Sequence, residues 1–416
     1  MTASLLLLYI CAALVLQLAV GGGVAVWRLR RIAPGTAVGP GEGRPETIGD
    51  AWPGWREFRV ARRNIEDAGA TQCSFHLMAV DGGMLPPFKP GQFLTVRLHV
   101  ANPGTGIPGG SAMVTRCYSL SDRPRPEAYR ITVKRVVAPP DRATVPPGGA
   151  SAHLLDRVRE NDVIEIRCPA GQFFLDPDPL IPAVLISGGI GITPMMSILH
   201  WCLDEQPDRV IYLFHGVRNG REHAFKATLE ELAASHRNFH LSIVYSRPNP
   251  DDVQGRDFQH TGHVDVDLLR RILPRGKQGF YVCGPPAMME SLVPALRAWG
   301  IADEDIHFEA FGPASVRSTI GASPEAVLVG EDQLEIAFRR SGRTLRWDGR
   351  DASLLAFAER HGVPIDTGCR SGSCGSCETR LLAGRVQYPQ KPDHVITAGT
   401  CLLCVGTPAS HLLLDA

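Results

Sequence analysis

The chain has 416 residues, with 43 Lys plus Arg against 43 Asp plus Glu, 44% hydrophobic and 21% charged residues, 43 Gly and 33 Pro. That composition excludes a disordered tail, a collagen, a coiled coil and a small disulfide scaffold, and the length allows about two to four domains, each able to bury its own core. A formal net charge of zero offers no basic excess to neutralise phosphates, so no nucleic-acid partner is expected.

In chain order, the first element is an uncharged apolar run from Leu5 to Trp27, long enough at about 1.5 Å per residue to cross a hydrocarbon core of about 30 Å. Arg28, Arg30 and Arg31 follow the run, the reverse of a secretory signal. Residues 5–27 are therefore predicted as a single-pass transmembrane anchor in the inner (cytoplasmic) membrane, with the catalytic domains on the cytoplasmic side. Residues 28–52, rich in Gly and Pro, read as a linker.

Residues 53–178 contain short alternating runs broken by Gly and Pro, among them FKPGQFLTVRLHV, EAYRITVKRVV and DVIEIRCPAGQFFL, the pattern of an antiparallel β-barrel. This region carries Arg116-Cys117-Tyr118-Ser119, then Lys134 near a strand end, then Gly148-Gly149-Ala150-Ser151 opening a helical stretch. Each piece can serve a flavin: a guanidinium suits a pyrophosphate, an aromatic ring an isoalloxazine, a hydroxyl the flavin edge, and a Gly and Ser turn at a helix start a phosphate. Residues 179–313 alternate apolar strands with helical stretches, which means a parallel sheet with crossover helices. The first of these strands runs into Gly188-Gly189-Ile190-Gly191-Ile192-Thr193-Pro194 and the last into Cys283-Gly284-Pro285. Both motifs fall at carboxyl ends of the sheet, where such folds bind nucleotides.

After a polar linker at 314–326, residues 327–416 open with a hairpin pattern, EIAFRRSGRTLRWDG, and a helical run, SLLAFAERHG. Cys369, Cys374 and Cys377 follow as C-x4-C-x2-C, the plant-type spacing for a 2Fe-2S cluster, which needs a fourth thiolate downstream. Spacing leaves Cys401 and Cys404 both open for that place. The remaining six of the eleven cysteines are scattered singly and suit a reducing compartment.

Together, RCYSLS, ITVKRV, GGAS with its helix, GGIGITP and CGPP resemble the ferredoxin-NADP reductase superfamily, most closely the reductase part of the flavohaemoglobins. The last ninety or so residues resemble plant-type ferredoxins. The resemblance implies an antiparallel β-barrel for FAD, an α/β parallel-sheet domain for NAD(P) and an α+β, β-grasp ferredoxin domain. It also implies Arg116 on the pyrophosphate, Tyr118 and Ser119 on the isoalloxazine, and Gly148, Gly149, Ala150 and Ser151 on the phosphates, which favours FAD over FMN. By the same resemblance Gly189, Gly191, Thr193 and Pro194 contact the nicotinamide nucleotide, Cys283 and the Gly284-Pro285 turn border the reacting nicotinamide, and Glu309 and Phe311 approach nicotinamide and flavin. Ser246-Arg247 is similar to a 2′-phosphate pair, but Asp251 and Asp252 follow, so NADH and NADPH both stay open. Alignment with the ferredoxin ending places Cys404 on the fourth ligand position.

A nicotinamide gives up two electrons as hydride and an iron-sulfur cluster accepts one at a time, so a flavin must stand between them. The expected function is a membrane-anchored NAD(P)H reductase in which Tyr118, Ser119, Cys283 and Glu309 surround hydride transfer. The cluster would feed an oxygenase, hydroxylase or desaturase, because the order of modules looks like reductase components of oxygenases. An NADH:quinone-type dehydrogenase subunit is the alternative, disfavoured because related subunits place the ferredoxin module first. A redox sensor without turnover is a third reading.

Overall fold

Antiparallel pairing organises the first region of the computed structural model, which describes residues 52, 54–101, 111–136, 149–310, 334–370, 372, 374–389, 392 and 394–416. Strands β1 (Arg56–Ile65), β2 (Gln72–Ala79), β3 (Phe93–Ala101), β4 (Ser111–Ser119), β5 (Tyr129–Lys134) and β6 (Val163–Ala170) form one sheet in the order β4-β3-β6-β1-β2-β5. A bridge between Leu120 and Ile131 draws its two edges together into a barrel. Alternation fills the interior: Phe58 and Val60, Leu94, Val96 and Leu98, and Ile164 and Ile166 share one buried core, as a period of two requires. Helix α1 (Gly149–Asp156) adds Leu154 and Leu155 to that core.

The second region is a parallel sheet. Its elements are β7 (Ala183–Gly188), α2 (Ile192–Glu205), β8 (Ile211–Val217), α3 (Lys226–Ser235), β9 (Phe239–Tyr245), β10 (His260–Thr261), α4 (Val266–Ile272), β11 (Gly279–Gly284), α5 (Pro286–Trp299) and β12 (Ile306–Ala310). The strand order is β10-β9-β8-β7-β11-β12, so the winding reverses between β7 and β11 and opens a crevice at their carboxyl ends. Every residue of β7 and β11 is buried, as expected of central strands covered on both faces. The seam with the barrel is hydrogen-bonded: Gly69 N–H donates to the Arg221 carbonyl at 2.8 Å, and the Gln72 amide donates to the Glu222 carbonyl at 2.9 Å.

The third region comprises β13 (Glu335–Phe338), β14 (Arg343–Arg346), α6 (Leu354–Arg360), β15 (Glu378–Ala383), β16 (Val386–Gln387), β17 (Thr400–Leu402), β18 (Thr407–Pro408) and β19 (Leu412–Leu414). A five-stranded sheet runs β14-β13-β19-β15-β17, with β13 and β14 as a hairpin and β13 parallel to β19. Ser353 caps α6 by accepting from the Ala356 amide, and the helix lays Leu354, Leu355 and Phe357 against Ile336, Phe338 and Leu412.

The fold class requires one correction. Among the described residues no helix is long and apolar enough to cross a membrane, so the transmembrane helix expected from sequence forms no part of the fold that the structure supports. The longest helices described, α2 and α5, have 14 residues each, about 21 Å at 1.5 Å per residue. Residues 5–27, Gly148, Phe311 and both linkers, apart from Trp52, lie outside the described residues.

Candidate active site and cysteine loop

The carboxyl ends of β7 and β11 lie side by side. A Cβ built on Gly191 would stand 2.1 Å from the Cys283 carbonyl oxygen and 2.9 Å from the Gly284 nitrogen, so these two turns meet only because that position has no side chain. Likewise a Cβ on Gly284 would come within 2.7 Å of Met288 Sδ. Gly189 has φ +52. Helix α2 begins at once, and its N-cap, Gly191, makes no side-chain hydrogen bond; the Ile192 amide already donates to the Gly189 carbonyl, so the turn meets a ligand with its remaining backbone amides. Thr193 donates its hydroxyl to the Ile190 carbonyl at 3.1 Å, and Pro194 sits in the first turn, where no N–H is needed. Their side chains shape the turn, and backbone is what the turn offers. Pro285 is the N-cap of α5. These features fit a nucleotide pyrophosphate.

Glu309 on β12 pairs in register with Cys283 on β11. Its Oε2 accepts a 3.4 Å hydrogen bond from the Ser119 hydroxyl at the end of β4, which joins the barrel to the parallel sheet. Loss of water pushes the half-buried Glu309 up to about 8, against the downward pull of the Ser119 bond. Burial raises the Cys283 thiol well above its ordinary value, with the Glu309 carboxyl adding to it. Cys283 itself is fully buried among apolar side chains of one face of the sheet. Glu309 and Ser119 are the polar groups at this edge, and Cys283 packs behind them.

Tyr118 lies half-buried against the barrel core, its phenol kept neutral by burial. Arg116, two residues earlier on the same strand face, is exposed and donates to the Thr115 carbonyl at 2.7 Å. An exposed guanidinium, an aromatic face and a hydroxyl along one edge strand fit a flavin. Lys134 lies at the seam between barrel and parallel sheet. Its ammonium donates to Glu222 Oε2 at 2.7 Å and lies 3.9 Å from a Cβ built on Gly189, which places it at the nucleotide turn. Gly149, Ala150 and Ser151 open α1, and the Ser151 hydroxyl accepts from the Val136 amide at 3.1 Å, tying the helix start to the end of β5.

At the far end of the crevice the Ser246 hydroxyl donates to the Val217 carbonyl at 3.5 Å, while Arg247 is exposed. Asp251 is exposed, and Asp252 accepts from the Gly220 and Asn249 amides at 3.2 and 2.7 Å. Beneath these residues sits a polar network that no motif announced. Ser187 Oγ and His215 Nδ1 are 2.8 Å apart, and His223 Nδ1 and the Tyr245 hydroxyl 2.9 Å. Burial pushes His215 well below its usual value and His223 down to about 4, so both are neutral at pH 7 and brace the ends of β7, β8 and β9.

The cysteine loop holds its thiols as two pairs. Cys369 N–H donates to Cys374 Sγ at 3.2 Å and Cys374 N–H to Cys369 Sγ at 3.3 Å. Cys404 N–H donates to Cys377 Sγ at 3.4 Å. The two side chains also interact, which draws the Cys377 thiol down and pushes Cys404 up. Cys401 lies on β17 opposite Thr379, inside the core, and burial raises its thiol to about 12. The structure thus sets Cys404, not Cys401, beside Cys377. Among the described residues no three His, Cys, Asp or Glu side chains surround a single metal-ion position, whereas two facing pairs suit two irons bridged by sulfide. Glycines make the room: a Cβ on Gly368 would stand 2.7 Å from Cys374 Sγ, and Gly375 has φ +69.

A barrel with a flavin edge, a parallel sheet with a nucleotide crevice and a four-thiol loop define an NAD(P)H-dependent flavin and iron-sulfur oxidoreductase. Comparison with known proteins agrees. The family model "Oxidoreductase NAD-binding domain" matches residues 185–293, and "2Fe-2S iron-sulfur cluster binding domain" matches residues 336–409. The chain belongs to the ferredoxin-NADP reductase superfamily, with a C-terminal plant-type 2Fe-2S domain, and its cofactors are FAD, NAD(P)H and a 2Fe-2S cluster. A flavohemoprotein of Halalkalibacterium halodurans is 38% identical over 272 residues, which cover 65% of this chain and 63% of that protein. The chain therefore spans less than two thirds of that curated relative. The solved FAD/NAD-binding domain of nitric oxide dioxygenase from Vibrio cholerae O1 biovar El Tor is 32% identical with a TM-score of 0.53, covering 62% of this chain and 99% of that one. Phthalate dioxygenase reductase, described as a modular structure for electron transfer from pyridine nucleotides to 2Fe-2S, is 25% identical with a TM-score of 0.51. It covers 87% of this chain and 98% of its own.

Proposed function

We propose that this NAD(P)H-dependent electron-transfer reductase serves a separate oxygenase, hydroxylase or desaturase, delivering single electrons from its cluster. The observation that carries the reading is the meeting of three modules at one place. Ser119 of the barrel bonds Glu309 of the nucleotide sheet, and Arg167 of the barrel donates to the carbonyl of Cys374 in the cysteine loop at 2.9 Å. Likeness to phthalate dioxygenase reductase over 87% of the chain supports an oxygenase-type acceptor.

In this mechanism the Gly188 to Pro194 turn presents backbone amides to the pyrophosphate, with Lys134 adding charge beside it. Tyr118 and Ser119 orient the flavin from the edge of β4. Bound FAD supplies the exchange between a two-electron hydride donor and a one-electron acceptor. Glu309, held near about 8, can keep or release a proton at Oε2 close to neutral pH, and the Ser119 hydroxyl fixes that oxygen. Buried Cys283 excludes water from the floor of the crevice. Cys369, Cys374, Cys377 and Cys404 would hold the cluster.

The test is a parallel acceptor assay under argon, with NADH or NADPH as donor and cytochrome c, ferricyanide and a soluble quinone analogue as acceptors. The proposal expects fast cytochrome c reduction that disappears in Cys404→Ser. Quinone reduction much faster than that of both other acceptors would move the protein to the quinone-dehydrogenase class, and flavin reduction without any turnover would make it a sensor.

A further inference from the structure

Three cross-strand neighbours of the barrel lie in one row: Cys117 on β4 pairs with Thr95 on β3, and Thr95 with Arg167 on β6. Strand alternation turns this row away from Arg116 and Tyr118, and away from Leu94 and Val96 in the barrel core. An outward row on a barrel is ordinarily solvated, yet Thr95 is only 1% exposed.

What meets the row is Cys374, more than 200 residues further along the chain. Arg167 donates an N–H to the Cys374 carbonyl at 2.9 Å. The Cys117 and Cys374 thiols lie within interaction distance of one another across this junction. Thr95 Oγ1 lies 3.6 Å from Cys117 Sγ. The Arg167 guanidinium is 4.7 Å from the centre of the Trp55 ring and that of Arg97 is 3.8 Å from it, which restricts the planar group that reaches the loop. On the other side of the same junction, Cys369 lies close enough to Glu309 to act on it electrostatically.

We propose that Cys117, Thr95 and Arg167, side by side on β4, β3 and β6, form a seat for the cluster ligand Cys374. Of these strands β4 serves both sites, with Cys117 on one face and Arg116 and Tyr118 on the other. Arg167 is a positioning residue that holds the loop by its backbone. With its proton lost to cluster binding, the Cys374 sulfur would be the acceptor and the Cys117 S–H the donor beside it, which would offset the extra negative charge of a reduced cluster. The Thr95 hydroxyl orients that thiol. This inference rests on Cys374 being a cluster ligand, as proposed above.

The experiment uses the full chain with Arg167→Ala, Arg167→Lys, Cys117→Ala, Cys117→Ser and Cys374→Ser. Flavin, iron and acid-labile sulfide are counted first. The ratio of cytochrome c to ferricyanide turnover is then measured, with the EPR spectrum and midpoint potential of the reduced cluster. Arg167→Ala is expected to retain its iron and lose about fivefold or more in that ratio, because small misplacements of redox or reacting groups are costly. Arg167→Lys recovers part of the loss. Cys117→Ala moves the EPR g-values and lowers the cluster potential, and Cys117→Ser, which keeps a donor, moves them less. Unmoved ratio, spectrum and potential in cluster-loaded variants would overturn the seat and leave the reductase reading standing. Full iron in Cys374→Ser would overturn the ligand assignment and the seat with it. Should Arg167→Ala fail to fold, the Cys117 pair decides alone.

Discussion

The nucleotide turn and the cysteine loop both depend on glycine, but for different neighbours. At Gly191 the missing side chain makes room for another backbone, the Cys283 carbonyl and the Gly284 nitrogen. At Gly368 and Gly375 it makes room for side chains, Cys374 Sγ in one case and the His394 ring, 2.4 Å from a built Cβ, in the other. The first turn is seated on two fully buried parallel strands. The second is an irregular loop held by N–H bonds to sulfur and by one arginine from another module. A nucleotide is thus met by rigid backbone and a cluster by side chains that can be exchanged one at a time.

The largest effect should come from the loop. Cys404→Ser is expected to lower iron retention and cytochrome c turnover by roughly 100-fold, in line with loss of a ligand, while Cys401→Ser keeps its iron, as counted by colorimetric iron and sulfide assay. Next comes Gly191→Ala, which forces backbone apart and should cost about 3 kcal/mol or prevent folding, read from the urea midpoint. Gly375→Ala should cost less, about 1–2 kcal/mol for the left-handed backbone, because the His394 ring can move where a backbone cannot. If the two glycine substitutions cost the same, the contrast between the turns fails.

A charge cluster fastens the nucleotide sheet to the barrel. Burial opposes ionisation of Asp122, but the hydrogen bond from His200, 3.0 Å away, and the Arg130 charge outweigh it and hold the carboxyl below its usual range. A carboxyl depressed on folding stabilises the protein above its unfolded pKa and loses that contribution as pH falls through the folded one. Asp122→Asn should therefore cost about 2 kcal/mol near neutral pH, with the difference from wild type shrinking in acid, as urea melts across a pH series would show. The smallest effect is reserved for Lys134→Ala. It removes one charged donor at the nucleotide turn and should raise the KM for NAD(P)H by roughly threefold to tenfold.

Sequence revealed what is contiguous. Gly188 to Pro194 and Cys369 to Cys377 each carry their chemistry within a few residues, and the alternation of β3 and β6 shows in the order of their side chains. Pairings across the chain were hidden. The register of β3 on β6 shifts between Phe93 and Thr95, and this irregularity decides that Arg167 faces Thr95, although neither strand announces it. Nothing near Cys117 in the chain marks it out, because the loop it meets lies in the third module, more than 200 residues away. The ion pair of Lys134 with Glu222 was hidden as well, since it forms only across the seam between two modules. The apolar run at 5–27 met a length rule, and it lies outside the described residues.

The central claim is that hydride enters at Glu309 and Ser119 and electrons leave singly at the cysteine loop. Its most direct test is anaerobic addition of one equivalent of NADH or NADPH, followed by flavin absorbance and by EPR of samples frozen at successive times. The account predicts bleaching of the flavin and then growth of the reduced-cluster signal as flavin colour partly returns. A reduced flavin beside a cluster that never acquires an EPR signal, in protein with full iron and sulfide, would contradict it.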